Sequence, residues 1–143
     1  YWLAEVSHVF HGRDIFAPVA AHLARGVPLD KLGAPFSDPV LLPLPQPLRT
    51  ESGYIGQVIH IDHFGNISTN IRQEHLGQPR QVRLRLAGVE IEGMAKTFGD
   101  RPPGELIVLY GSTGNLIISV VNGNAAQRLG VQPGDTVEVK FSL

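Results

Sequence analysis

The spacing of apolar residues changes twice along the chain. Between His11 and Gly26, the residues Phe16, Val19, Ala20 and Leu23 fall on one face at helical spacing. Asp14 stands where an N-cap carboxylate would, Pro18 suits a first helical turn, and Gly26 is a natural stop, so a helix is expected there. The next stretch carries Pro28, Pro35, Pro39, Pro43, Pro45 and Pro47. Ring-locked backbone without N–H donors sustains neither a helix nor a central strand, so an extended linker is expected over 28–52.

From Gly53 the pattern becomes short runs of Val, Ile and Leu separated by Gly, Asn, Pro and Asp, as in antiparallel barrels and sandwiches. Strands are expected over Tyr54–Asp62, Asn66–Ile71, Gln81–Leu86, Val89–Met94, Glu105–Tyr110, Asn115–Val121 and Thr136–Phe141. Ala87 and Gly88 join two alternating runs as a tight hairpin. Residues 124–129 are long enough for one or two helical turns ending at Gly130, and Gln132–Asp135 form a turn before the last strand. The predicted fold is therefore mainly β, with a domain over 53–143. The opening residues, Tyr1–Phe10, read as the end of a larger element, so the chain is expected to be a fragment.

With 143 residues, 43% of them hydrophobic, the chain can bury one ordinary core. Its 12 basic and 13 acidic residues leave a net charge of −1, which gives no electrostatic drive toward nucleic acid or an anionic membrane. No apolar run reaches the roughly 20 residues that span a bilayer, and no signal peptide opens the chain, so a cytoplasmic protein is expected. The absence of cysteine excludes disulfides, thiolate metal sites and cysteine nucleophiles.

Few residues are placed for chemistry. His11 precedes the predicted helix, where unpaired backbone amides disfavour a protonated imidazole. It either orients or activates water, or it packs at a domain edge. His60, Asp62 and His63 are close in sequence, but strand alternation sends His63 to the opposite face from the other two, and no metal site is expected. The loop Ile61–Asn66 has two readings. Gly65, Asn66 and Asp62 can be ordinary turn chemistry. Alternatively Asp62 pairs with a cation, Phe64 stacks on a flat base and Asn66 reads a donor–acceptor pair on its edge. Gly111–Asn115 and Gly123–Ala126 read as turns by themselves, and the latter lacks the lysine and glycine spacing of a phosphate loop.

Five segments in this order, FHGRDIFAP, IDHFGNISTN, TFGDRPPGE, GSTGNLIISVVNGNAA and VQPGDTV, resemble the family of S-adenosylmethionine (SAM) hydrolases, or SAM hydroxide adenosyltransferases, which is related to the SAM-dependent fluorinase and chlorinase. The resemblance implies that residues 1–27 end an α/β N-terminal domain and that 53–143 form a C-terminal antiparallel β-barrel that binds SAM. It also implies a homotrimer with each active site between neighbouring subunits. His11 matches a catalytic histidine that acts on water with an Asp and an Arg lying upstream of this sequence, so the chain by itself is expected to be inactive. Asp62 and Ser112, with the backbone of Thr113, match residues that hold the methionine amino group. Phe64 and Phe98 match aromatics packed on adenine, Asn66 the side chain that reads its edge, and Asn124 and Ala125 a backbone segment near the base.

The implied reaction is attack of water or hydroxide on the ribose 5′ carbon, giving adenosine and L-methionine without a cofactor or metal. Gly12 stands where fluorinase-like members carry a serine, which favours hydroxide over halide. The rival readings are a halide-using adenosyltransferase and a non-catalytic barrel binding SAM or single-stranded nucleic acid. The latter would need a basic groove that the charge balance does not supply, and no nucleic-acid or membrane partner is expected.

Overall fold

A computed structural model describes residues 1–143 and divides into two compact units, Tyr1–Leu42 and Pro43–Leu143. In the first unit a helix begins at His11, whose backbone is already helical, widens into a π-helical turn over Gly12–Phe16 and continues as α1 (Ala17–Ala24). Pro18 explains the irregularity: it has no N–H to return to the preceding turn. The Ala17 N–H reaches back to the Gly12 carbonyl, and the carbonyl of Asp14 instead accepts from the Leu3 N–H at 2.9 Å. Asp14 is therefore not the helix cap expected from its position. Its side chain, wholly buried, accepts from the Ser7 N–H at 2.9 Å and from both Nε and Nη2 of Arg13, which ties the opening segment to the helix. No residue of α1 is buried, and the expected apolar face leaves Phe16 exposed. A single 3-10 turn, Leu29–Lys31, completes the regular structure of this unit.

The second unit is the β domain. Its strands are β1 (Leu48–Arg49), β2 (Gly53–Ile61), β3 (Ile67–Arg72), β4 (Gln81–Leu86), β5 (Val89–Glu92), β6 (Leu106–Tyr110), β7 (Asn115–Val120) and β8 (Thr136–Ser142), with α2 (Gln73–Leu76) after β3 and α3 (Ala125–Leu129) before β8. Seven strands run in the order β5-β4-β8-β2-β3-β7-β6, every pairing antiparallel, with β1 added to β2. The sheet curls until its edges approach. Just after β5, the Ala95 N–H donates to the Val108 carbonyl on β6 at 2.8 Å, so the fold is a nearly closed antiparallel barrel. The fold class read from strand alternation is thus observed, and all seven expected strands are present. Asp62, Asn66, Gly93, Met94, Glu105 and Val121 fall outside them, while β1, α2 and a 3-10 turn at Phe98–Asp100 were not expected.

Alternation explains the core. Val82, Leu84 and Leu86 of β4 point inward while Gln81, Arg83 and Arg85 point out. They join Val58, Ile67, Ile71, Leu116, Ile118, Val137 and Val139 in one buried cluster. Each such side chain contributes about 1.5–3 kcal/mol on burial. The Ala87–Gly88 hairpin has both residues at positive φ, +50° and +77°, as a tight turn between twisted strands requires.

One buried carboxamide ties β3 to β2 and to the proline-rich stretch. The register between β3 and β7 shifts between Ser68 and Arg72, and Asn70 in that gap accepts the Gln57 N–H at 2.8 Å and donates to the Pro45 carbonyl at 3.0 Å. Gly56 is obligatory beside it, since a Cβ would lie 2.3 Å from the Asn70 oxygen. The last part of the proline-rich stretch thereby belongs to the barrel unit. No helix is long and apolar enough to cross a membrane.

Candidate functional site

The loop between β2 and β3 is organised by a single carboxylate. Asp62 Oδ1 accepts the backbone N–H groups of Phe64 at 2.9 Å and Asn66 at 2.8 Å, and Oδ2 accepts the Asn66 side-chain amide at 2.8 Å. Partial burial pushes the Asp62 carboxyl up, but the hydrogen bonds from Asn66 and Phe64 outweigh it and hold the group below its ordinary value. Three of about four lone-pair sites of the carboxylate are engaged inside the loop, leaving one on Oδ2.

The same bonds fix which end of Asn66 is free. A carboxylate only accepts, so Nδ2 must face Asp62 and Oδ1 must face away. Nδ2 carries two N–H groups, so with one on Asp62 the side chain keeps the second N–H as well as Oδ1. Phe64 projects from the loop tip, 73% exposed.

Gly65 docks this loop against α3. It sits at φ +85°, and a Cβ there would lie 2.1 Å from the Asn124 side chain, while its carbonyl accepts the Ala126 N–H at 3.0 Å. Asn124 is the N-cap of α3, its Oδ1 accepting the Gln127 N–H at 2.7 Å. Asn124 and Ala125 therefore buttress the loop: the Asn124 carboxamide caps and packs, and Ala125 is fully buried in the core.

Phe98 is brought in by a second loop. Asp100 accepts the N–H groups of Lys96 and Thr97 at 2.7 and 2.9 Å and the Thr97 hydroxyl at 3.1 Å, closing the turn on which Phe98 stands. Those bonds, the Thr97 amide foremost, lower the Asp100 pKa. Phe64, Asn66 and Phe98 then line one cavity with Val120, Asn122 and Gly123, about 330 Å³ in volume. That is the lower end of the range for small-ligand sites, about 300–1,000 Å³. Asn122, Val120 and the positioning residue Asp100 were not singled out in the sequence, and Gly123 was read as part of a turn. The signals were there in Asn-Gly, a turn dipeptide, and in a Thr followed three residues later by Asp.

Ser112 and Thr113 are elsewhere. They lie in the β6–β7 turn, at the end of β7 next to Arg72, whereas Ile67, at the loop end of β3, pairs with Ile118. Five strand residues separate the two ends, roughly 17 Å at the usual rise. The Thr113 hydroxyl donates to Asn115 Oδ1 at 2.9 Å and its carbonyl accepts from Arg72 at 3.1 Å. Within this unit they are not gathered with Asp62. His11 belongs to the other unit and is exposed.

The class is therefore a β-barrel domain with an aromatic–carboxamide pocket at one end, preceded by a short helical unit. Residues 56–138 match the SAM hydroxide adenosyltransferase C-terminal domain and residues 2–33 the N-terminal domain of the same name. The chain belongs to the SAM hydroxide adenosyltransferase family. It is 46% identical over 143 residues to an (R)-S-adenosyl-L-methionine hydrolase of Salinispora tropica, across 96% of this chain and 53% of that protein. It is 33% identical to a fluorinase of Actinoplanes sp., across 95% of this chain and 50% of that one. A crystal structure of an uncharacterized conserved protein from Thermotoga maritima superposes with a TM-score of 0.71 at 42% identity, covering 95% of this chain and 54% of that one. The chain spans about half the length of the relatives it matches.

Proposed function

We propose that this chain is part of an enzyme that hydrolyses SAM to adenosine and L-methionine. The observation that carries the reading is the joining of Phe64, Asn66 and Phe98 around one small pocket, with Asp62 bonded to Asn66 behind it, in a chain of this family. The pocket takes the adenine ring between aromatic faces, Asn66 accepts from the exocyclic amine, and the free lone pair of Asp62 is available to the methionine ammonium. Hydroxide or water attacks the 5′ carbon as the carbon–sulfur bond breaks, the electron pair passing to sulfur and the released proton to solvent. Sulfonium is already a good leaving group, so the protein's task is to place the nucleophile and strip it of solvent.

His11 serves that placement with an Asp and an Arg supplied by residues outside this sequence. Ser112, Thr113, Asn124 and Ala125 complete the contacts that the family resemblance implies, Ser112 and Thr113 at the far end of β7. Assembly as a homotrimer, with barrel and helical units of neighbouring subunits meeting at each site, would bring His11 to the barrel pocket. No cofactor or metal takes part, and the setting is the cytoplasm. A halide-using reaction is less favoured, because Gly12 offers no hydroxyl to desolvate an anion.

The test is methionine and adenosine release from SAM by the full-length protein. His11→Ala should lower kcat about 100-fold or more with little change in substrate affinity. Undiminished turnover in that variant, or no adenosine from the wild type, would refute the reading.

A further inference from the structure

The outward face of β4, β5 and β8 breaks its charge pattern at one end. Arg85 of β4 stands opposite a carboxylate on either side, Glu90 of β5 and Glu138 of β8. Two residues along, Arg83 stands opposite Glu92 on one side but opposite Lys140 on the other, so two cations face each other across paired strands. Like charges directly opposite destabilise a sheet. Glu90 and Glu92 hold the Arg83 guanidinium between them, at 3.2 and 2.7 Å. Lys140 has no carboxylate partner, and neither has Arg80, just beyond the start of β4. On the far side of Lys140, β2 supplies Gly53, where a Cβ would lie 1.8 Å from the Val139 carbonyl oxygen, so no side chain can answer the ammonium from there. The three cations border a cavity of about 470 Å³, within the usual range for small-ligand sites. Ser52 and Ser142 add hydroxyls to its wall, and its carboxylate, Glu92, is the one already bonded to Arg83. On a chain whose net charge is −1, this is a local concentration of positive charge.

We infer that this cavity binds a polyphosphate anion, with Lys140 and Arg80 supplying unpaired charge and Arg83 held as a fixed donor by its two glutamates. An anion seated between Arg83 and Lys140 converts their mutual repulsion into a shared attraction. Two unpaired cations beside the fixed guanidinium match a ligand with more than one anionic group, and the serine hydroxyls can donate to the remaining oxygens. The cavity shares no residue with the pocket of Phe64, Asn66 and Phe98, and the inference needs no assumption about the reaction.

Calorimetric titration of the full-length protein with inorganic phosphate, pyrophosphate and cytidine triphosphate, at an ionic strength of about 0.15 M, tests this. The pyrimidine nucleotide keeps the adenine reading of the other pocket out of the measurement. Pyrophosphate should bind more tightly than phosphate and should raise the melting temperature. Lys140→Gln and Arg80→Gln should each weaken pyrophosphate about tenfold or more, the worth of one hydrogen bond to a charged group. Arg85→Gln, on the same face but outside the cavity, should change it little. Free of ligand, Lys140→Gln should melt no lower than wild type, because it removes the repulsion with Arg83, so its loss of binding is not a loss of fold. Equal affinity for pyrophosphate and the nucleotide supports a site for the phosphate groups alone, and tighter nucleotide binding supports one that also takes the nucleoside. Binding of none of the three anions, pyrophosphate binding undiminished in both cavity variants, or an equal loss in Arg85→Gln overturns the site.

Discussion

Asn66 donates its side-chain amide to Asp62 at 2.8 Å, so the two residues act as one fixed device rather than two contacts. Asp62→Asn tests that coupling, because it confronts the Asn66 amide with a group that no longer accepts on both oxygens. Freed from its lock, Asn66 can present either end, and discrimination between adenosine and inosine should fall toward unity in competition binding. A preserved ratio would show that Asn66 is oriented by something other than Asp62.

The fit of Gly65 against Asn124 predicts an asymmetry between two glycines. Gly65→Ala meets both a left-handed backbone and the Asn124 side chain, where a Cβ would lie 2.1 Å away, while Gly130→Ala, at φ +65°, has nothing within 4 Å. Gly130→Ala should cost about 1 kcal/mol from conformation alone, and Gly65→Ala about 2–3 kcal/mol, since the N-cap of α3 must also move. Urea denaturation of the two variants checks the order, and equal losses would mean that the loop does not dock on the helix.

The opening segment should loosen in acid. Arg13 and the Ser7 amide hold the Asp14 carboxyl at about 2, against an ordinary value of 3.8. The unfolded chain then takes up its proton at a higher pH than the folded one. The contribution of Asp14 is fully present above pH 3.8 and is lost as pH falls from there through about 2. Hydrogen exchange at the Ser7 amide should accelerate over that window, and Asp14→Asn should abolish the dependence. A flat profile in the wild type would contradict the ion pair.

Much of this was legible in the sequence, for reasons that differ by element. The strands announced themselves because a sheet face buries every second residue, as Val82, Leu84 and Leu86 do. β1 did not, since two residues straight after Pro47 carry no period, and only pairing with Tyr54 and Ile55 makes Leu48–Arg49 a strand. Asp14 was misread as a cap because the helix begins at His11 and tolerates Pro18 through a widened turn, a backbone adjustment that composition does not reveal. At the site, the residue types of the 62–66 loop suggested a base and a cation, yet the bond by which Asp62 orients Asn66 needed coordinates. Asn122 was hidden because it reaches the pocket wall only through neighbours distant in sequence. The separation of Ser112 and Thr113 from Asp62 follows from strand register, which motif order along a chain does not encode.

Two buried hydroxyls on neighbouring strands make opposite predictions. Thr69 on β3 is fully buried, and its hydroxyl donates to the Leu116 carbonyl at 3.1 Å and accepts the Ile71 N–H at 3.2 Å, serving the ladder where register slips between β3 and β7. Ser119 on β7 is equally buried, opposite Ile107, yet its hydroxyl has no partner. Removing a satisfied hydroxyl strands the groups it served, whereas removing an unsatisfied one relieves a desolvation penalty of about 1–3 kcal/mol. Thr69→Val should therefore lower stability by about 1–3 kcal/mol despite conserving shape, and Ser119→Ala should hold or raise it by about 1 kcal/mol. Thermal denaturation of the pair decides the matter: a marked loss in Ser119→Ala would mean that its hydroxyl is bonded after all, through a water buried between β6 and β7.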